Sequence, residues 1–400
     1  MKLPSDQDIT GRNLGEEELI LLKDVILSGV LNSTKGIQVK KLEREFAQMM
    51  GTKHAIAVSS GSAAIHAAIC AINPDPGSEI ISTPVTDMGA ITPIIYQGCI
   101  PIFADIDPFS YNVTAETIAK QINPLTKAII VTHLFGNPCD MKPIMELAHS
   151  KNIPVIEDCA QSFLGSYHGE LTGIIGDIGV FSFQQGKHMT TGEGGIVITK
   201  DEKYARRIRL FVNKAWGYGD PKPDHYFVAL NYRLTELQGA VGLAQLRKLK
   251  GNVLQRRKTA EYLDKRLKTI DGICVPEVLS YSKHSYWKYC LDVDHKITGV
   301  DVGQMAAKLK SFGIFSAPRY IQKPAFSCQI LKDGQIFGSM TTPLTPKQMS
   351  LWQDEDRLRI EYKGAYQALS RMLVLPWNEF YTNDHAEYIA DKIILSMQQK

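Results

Sequence analysis

Three short stretches hold residues that could act together chemically. "GVFSFQQGKHMTTGEGG" (residues 179–195) is an apolar strand pattern that runs into a polar turn carrying Lys187, then a glycine-rich turn with Gly192, Gly194 and Gly195. "IPVIEDCAQS" is a second apolar run, ending in Glu157 and Asp158 with Gln161 just beyond. "IAVSSGSAAIHAA" passes from a strand pattern through Ser59, Ser60, Gly61 and Ser62 into a helix pattern. A small-residue turn at a helix start offers free backbone N–H groups and the positive end of the helix dipole, which suits an anion. An amine at one strand end and a carboxylate at another, beside such a cradle, make a site for a phosphorylated cofactor. Lysine together with an acid facing a pyridine nitrogen is the set that works with pyridoxal phosphate.

Each piece alone says little. A lysine in a turn is usually solvated, and an aspartate at a strand end more often caps the next helix. The "GKH" triplet lacks the GxxxxGK[ST] spacing of a nucleotide-binding P-loop. The order of the three stretches, each on a suitable element, carries the reading.

The elements that must position these residues alternate. "EEELILLKDVILSG" and "QVKKLEREFAQMMG" have helical periodicity with glycine stops at Gly29 and Gly51. Strand-length apolar runs begin at Ala55, Glu79, Ile100, Lys127, Ile153, Gly179 and Gly195, several separated by helix-length segments. That alternation predicts an α/β fold with a largely parallel sheet covered on both faces. A long helix follows over 234–267, with Leu234, Leu237, Val241, Leu246 and Leu249 on one stripe. Beyond it, "SYWKYCLDVD" reads as a strand, "DVGQMAAKLKSFG" as a helix closed by Gly313 and "DHAEYIADKIILSMQ" as a final helix, with 327–348 as a long surface loop. The expected division is a large domain over 1–250, including an N-terminal arm, and a smaller α+β domain over 251–400.

Composition removes several classes. Four hundred residues with 44% hydrophobic and 22% charged positions describe a globular chain with ample core. The balance of 45 basic and 42 acidic residues, a formal charge of +3, gives no electrostatic footprint for nucleic acid. The basic stretch 247–268, opposed only by Glu261 and Asp264, reads as a solvated helix face. No apolar run reaches membrane-span length, and the first residues lack the apolar core of a signal peptide. Seven cysteines without CxxC spacing read as free thiols, and the expected setting is the cytoplasm. His133, His225 and His284 have no metal-ligand spacing, so no metal is expected.

With these residues in view, the sequence resembles the DegT/DnrJ/EryC1/StrS aminotransferases. The resemblance runs over nearly the whole chain, through "LSGVLNSTKGIQVKKLEREFAQMMGTKHAIAVSSGSAAIHAA", "PIFADIDPFSYN", "VTHLFGNPCDM", "VIEDCAQSFLG", "FSFQQGKHMTTGEGG" and "LNYRLTELQGAVGLAQL". The lysine motif with its GEGG tail is highly specific, and the C-terminal third matches loosely. The resemblance implies the fold-type-I architecture, a seven-stranded mostly parallel sheet flanked by helices plus the smaller domain, and pyridoxal 5'-phosphate as cofactor. It implies that Lys187 forms the Schiff base and moves the proton, that Asp158 pairs with the pyridine nitrogen and that Gln161 meets the phenolic oxygen. Gly61, Ser62 and Ser182 would hold the phosphate, joined by Asn231 from a neighbouring subunit, which implies a homodimer with shared sites.

One departure is informative. Where the family has Thr and a ring-stacking aromatic, this chain has Asp87 and Met88. A thioether can still pack on a π face, so Met88 is expected as a ring contact and the local polarity is expected to differ. Tyr320, in "APRYIQKP", falls near the expected substrate pocket. The presence of Lys187, with His188 only its neighbour, favours amine exchange over the family's dehydratase chemistry. The expected reaction moves an amino group from glutamate or glutamine to the keto group of a nucleotide-linked sugar or a cyclitol, and "QQGK" leans toward the cyclitol branch. A dehydratase, a non-catalytic regulator on the same scaffold and a cysteine desulfurase using Cys328 are the rival readings.

Overall fold

The computed structural model describes residues 1–398. Seven strands form the main sheet: β1 (His54–Val58), β2 (Glu79–Ser82), β3 (Ile100–Phe103), β4 (Thr126–Thr132), β5 (Val155–Asp158), β6 (Ile178–Ser182) and β7 (Gly195–Thr199), in spatial order β1-β7-β6-β5-β4-β2-β3. Every neighbouring pair is parallel except those of β7, which runs antiparallel to β1 and to β6. All seven strands lie where the apolar runs predicted them. Every residue of β2, β5, β6 and β7 is buried, as a sheet covered on both faces requires. The register sets Ser182 and Val58 opposite Gly195 and Thr132 opposite Asp158, so the carboxyl ends of β1, β5 and β6 meet along one edge.

Helix α1 (Glu16–Ser28) and helix α2 (Gln38–Met50) stop at Gly29 and Gly51, both left-handed with φ of 66° and 69°. Helix α3 (Gly61–Ile72) follows β1 and carries alanine and isoleucine buried all round, as a helix sandwiched inside the fold should. Helix α4 (Met141–Ser150) joins β4 to β5, and α5 (Glu202–Val212) follows β7. Helix α6 (Glu236–Leu267) begins at a Thr235–Gln238 capping box and runs 32 residues without a break. Glu236 is buried there because its carboxylate accepts the backbone N–H groups of Gln38 and Val39 at 2.7 and 3.1 Å, capping α2.

The C-terminal part builds an antiparallel sheet from β8 (Ile273–Cys274), β9 (Lys288–Val293), β10 (Ala317–Pro318) and β11 (Met372–Pro376), in order β8-β9-β11-β10. It packs with α7 (Val302–Ser311) and α9 (Asn383–Gln398) around Leu263, Tyr289, Met305, Trp377 and Ile389; α8 (Lys363–Arg371) precedes β11. Residue 250, where the sequence divides the chain, falls inside α6. The segment expected as a surface loop over 327–348 is partly helical, at Gln329–Asp333 and from Pro346 to Gln353. Its Leu331, Leu344 and the following Trp352 are buried against the main-sheet core beside Phe103 and Val131. Sparse apolar spacing hid this, since single large side chains anchor the segment. No helix among the described residues is long and apolar enough to cross a membrane.

The basic stretch of α6 also differs from a solvated face. Arg256 is fully buried, pairs with Glu379 at 2.7 Å and donates to the carbonyls of Tyr286, Trp287 and Trp377. Truncating Glu379 strands that guanidinium. Glu379→Ala should destabilise the protein by about 3–5 kcal/mol, read as a lowered denaturant midpoint, whereas removing the exposed Lys250 should change little.

Candidate active site

A cavity of about 450 Å³ opens at the carboxyl edge of the main sheet, and Gly61, Ser62, Asp158, Gln161, Ser182 and Lys187 all line it. Ser60 caps α3 by accepting the N–H of Ala63 at 3.0 Å, which leaves the N–H groups of the first helical residues without intrahelical partners. The approach is close. A Cβ at Gly61 would stand 2.8 Å from Ser182 Cβ, one at Gly89 2.5 Å from Ser62 Oγ, and one at Gly195 2.6 Å from the Ser60 carbonyl. Glycine at these points keeps the cradle open and lets the Ser182 hydroxyl face it.

Asp158 ends β5 and is buried. Its carboxylate accepts the Ala160 N–H at 3.0 Å and the Thr132 hydroxyl at 3.4 Å, the latter fixed by strand register. Burial pushes its pKa up, and the Ala160 N–H, Lys187 and His133 pull it back. A carboxylate so placed gains strongly from a cation brought next to it. Gln161 has a determined orientation: its Oε1 accepts the Phe135 N–H at 2.7 Å, so its Nε2 is the donor, here to Tyr320 Oη at 3.0 Å. The Phe135 loop is anchored by His133. That ring accepts the Cys139 N–H at Nδ1, so Nε2 carries the proton toward Glu157 at 2.9 Å. Glu157 also accepts the Ile175 and Gly176 N–H groups. His133, Glu157 and Cys159 lie close enough to suit a metal ion, but the imidazole and carboxylate atoms are already committed to these hydrogen bonds.

Lys187 sits on the turn between β6 and β7. Its N–H donates to the Gln184 carbonyl at 2.9 Å, and the Gly186 N–H donates to Gln184 Oε1 at 2.7 Å. Trp287 Nε1 donates to the Gly186 carbonyl at 2.6 Å, and Arg12 Nη1 donates to the Lys187 carbonyl at 2.7 Å. The Lys187 amine lies 4.1 Å from the centre of the Trp287 ring. Burial pulls its pKa down to about 8, against the opposing charges of Asp158 and Asp87. His188, next in the chain, points away and shares its Nε2 with the Ser285 carbonyl; burial pushes its pKa down, so it stays neutral.

Two of the expected site residues do not line this cavity. Asn231, expected at the cradle of a neighbouring subunit, is exposed and bridged to Asn213. Met88, half-buried, packs against the core cluster that includes Phe103 and Val85, while its neighbours Asp87 and Gly89 line the cavity. Asp87 Oδ1 accepts the Gly89 N–H at 2.7 Å and caps the short turn on which Met88 stands. Tyr320 does line the cavity; it and Arg319 are both left-handed, with φ of 52° and 69°. Trp287 is the residue that sequence reasoning missed. It reads as the start of a strand, and its contact with Lys187 spans 100 positions, beyond the reach of any local pattern.

Known proteins match this chain closely enough to interpret the site. The sequence profile of the DegT/DnrJ/EryC1/StrS aminotransferase family matches residues 12–345. The GDP-perosamine synthase of Caulobacter vibrioides is 34% identical over 289 residues, 72% of this chain and 77% of that protein. The spore coat polysaccharide biosynthesis protein SpsC of Bacillus subtilis is 33% identical over 74% of this chain and 78% of its own length. Among solved structures, the aminotransferase from Psychrobacter cryohalolentis superposes with a TM-score of 0.84 at 28% identity, covering 96% of this chain and 97% of that one.

The lowered basicity of Lys187 can be measured in the cofactor-free protein. An amine-directed reagent attacks only the neutral form, so labelling of Lys187 followed by peptide mass should rise with a midpoint near pH 8. A free lysine peptide in the same reaction, with its midpoint at about 10.4, gives the reference.

Proposed function

This chain belongs to the DegT/DnrJ/EryC1/StrS aminotransferase family and is a pyridoxal-phosphate-dependent aminotransferase, and from that premise we propose that it moves an amino group from glutamate or glutamine to the keto group of a sugar or cyclitol. The observation that carries the proposal is the buried, weakly basic Lys187 amine in one cavity with Asp158 and the start of α3.

The residues present fit the cofactor. The cradle at Gly61, Ser62 and Ser182, which a single added Cβ would fill, suits its phosphate. Asp158, a carboxylate whose ionisation burial opposes, would hold a proton on the pyridine nitrogen. The Gln161 Nε2 donor would meet the phenolic oxygen, with its amide kept from flipping by the Phe135 N–H. When bound, pyridoxal phosphate supplies the electron sink for the carbon that gains or loses the amino group. Lys187 would be the amine that attaches the cofactor and, once freed, carries the proton at Nζ; a pKa near 8 leaves a useful neutral fraction at physiological pH. The Trp287 ring covers the amine and limits its access to water.

A sugar acceptor is supported by the relatives named for perosamine and for a coat polysaccharide. A phosphate on that acceptor is supported by a groove of about 600 Å³ whose lining includes Arg319, Lys323, Lys332 and Arg359. Lys332 and Arg359 share Glu355, each at 3.3 Å. The side chains of Arg319 and Lys323 make no ion pair among the described residues. We further propose a homodimer. Leu19, Ile20, Ile26 and Leu27 on α1, and Val228 and Leu230 beside Asn231, are exposed apolar residues that a second copy would cover, placing Asn231 at the neighbour's cradle. A cytoplasmic setting is supported by seven free cysteines.

A visible absorbance band should appear when pyridoxal phosphate is added, be absent in Lys187→Ala and fade on addition of the true donor. A band that persists unchanged with every amino acid would sink the aminotransferase assignment of donor. Arg319→Ala should raise KM for a nucleotide-linked keto sugar by about tenfold, the loss of one charge-assisted contact, and leave KM for a neutral cyclitol unchanged.

A further inference from the structure

The N-terminal arm reaches the back of the Lys187 turn. Asp6 is buried, and its carboxylate lies 2.6 Å from the Lys288 ammonium and 3.9 Å from Arg12. The Asp6 carbonyl accepts from Arg12 Nε at 2.7 Å and from Gln185 Nε2 at 3.1 Å. Arg12 in turn donates to the Lys187 carbonyl. Lys288 follows Trp287 in the chain, and its ammonium stands 5.3 Å from the centre of the same ring that Lys187 approaches. Two lysine ammonium groups thus share one indole, and only one of them has a carboxylate at contact distance.

We propose that Asp6 and Lys288 form a buried positioning pair that seats Trp287 over Lys187 and sets the pH at which the Lys187 amine becomes basic, which makes the N-terminal arm a working part of the site. The charges that face this amine come from every side. Asp158 projects from β5 and Asp87 from the loop after β2, with Glu193 and Tyr320 on the cavity wall. Lys288 stands on β9 and Asp6 on the arm; Arg12 on the arm and Arg256 on α6 act on His188, the next residue in the chain. After burial, Asp158 and Asp87, the next influences on Lys187 are Lys288, which drives its proton off, and Asp6, which holds it on. The pair is close to neutral as a unit, so either charge alone would be felt more strongly than both together. Asp6 and Lys288 do not themselves line the cavity, so their action is through Trp287, which does, and through the field.

The inference rests on Lys187 being the reactive amine, and its test reads that amine without the cofactor. In the apo-protein, pH-dependent labelling of Lys187 is compared among four chains. Lys288→Met leaves Asp6 facing the site and should move the midpoint upward by about half a pH unit or more. Asp6→Asn together with Lys288→Met should bring it back to the wild-type value, and Lys288→Arg should not move it. In the holoenzyme the rise of kcat with pH should shift in the same direction, since the amine acts when neutral. Where the methionine variant does not fold, Lys288→Gln, which keeps a donor for Asp6, repeats the comparison. An unmoved midpoint in the single variant, or a shift that survives in the double variant, would overturn the proposal. Failure of the cofactor band would instead remove the aminotransferase reading and leave the apo labelling result standing.

Discussion

Everything in this site answers to one constraint: a primary amine is buried where it gives up its proton easily, with no acid in contact with it. Lys187 forms no ion pair among the described residues. The backbone of its turn is gripped from three directions: Gln184 and Arg12 hold Lys187 itself, and Trp287 holds the preceding Gly186 carbonyl. The side chain is then left to burial and to carboxylates that act at a distance. A lysine pinned by its own salt bridge would be easier to stabilise and useless as a base.

The sheet meets that constraint by register. Parallel strands bring their carboxyl ends to one edge, and pairing sets Thr132 beside Asp158 and Ser182 beside Gly195. β7, running against its neighbours, returns the chain directly after the Lys187 turn, so that turn is tied on both sides to the rigid centre of the sheet. The His133–Glu157 pair supports the same edge from beneath by fixing the loop that orients Gln161. The cavity is lined by strand ends at Asp158 and Ser182 and by turns that hydrogen bonds tie to the sheet.

Much of this was legible in the chain. The seven strands, the glycine stops at Gly29 and Gly51, and the cluster of Lys187, Asp158, Gln161 and the α3 start all follow from local pattern, because periodicity and turn chemistry act over a few residues. What escaped was non-local. Trp287 carries no local mark of its contact with Lys187. Arg256 looks like any surface cation on a basic helix until Glu379 and three carbonyls close around it. Met88 stands where the family has a ring-stacking residue, yet it packs half-buried against the core while Asp87 and Gly89 line the cavity. The motif fixes which residue stands at a position, not which way it faces.

The arm also has a consequence in time. The arm's contacts lie far along the chain: the Pro4 carbonyl accepts from Asn378 Nδ2, and Asp6 pairs with Lys288. A ribosome emits the chain in order, so the arm meets its partners in turn, those at Lys187 and Gln185 well before Lys288 and Asn378. Contacts of such span are slow to form and expose intermediates to misassembly. The main sheet can assemble while the arm is held only by its Lys187 and Gln185 contacts, and the back of the turn closes once Lys288 has been made.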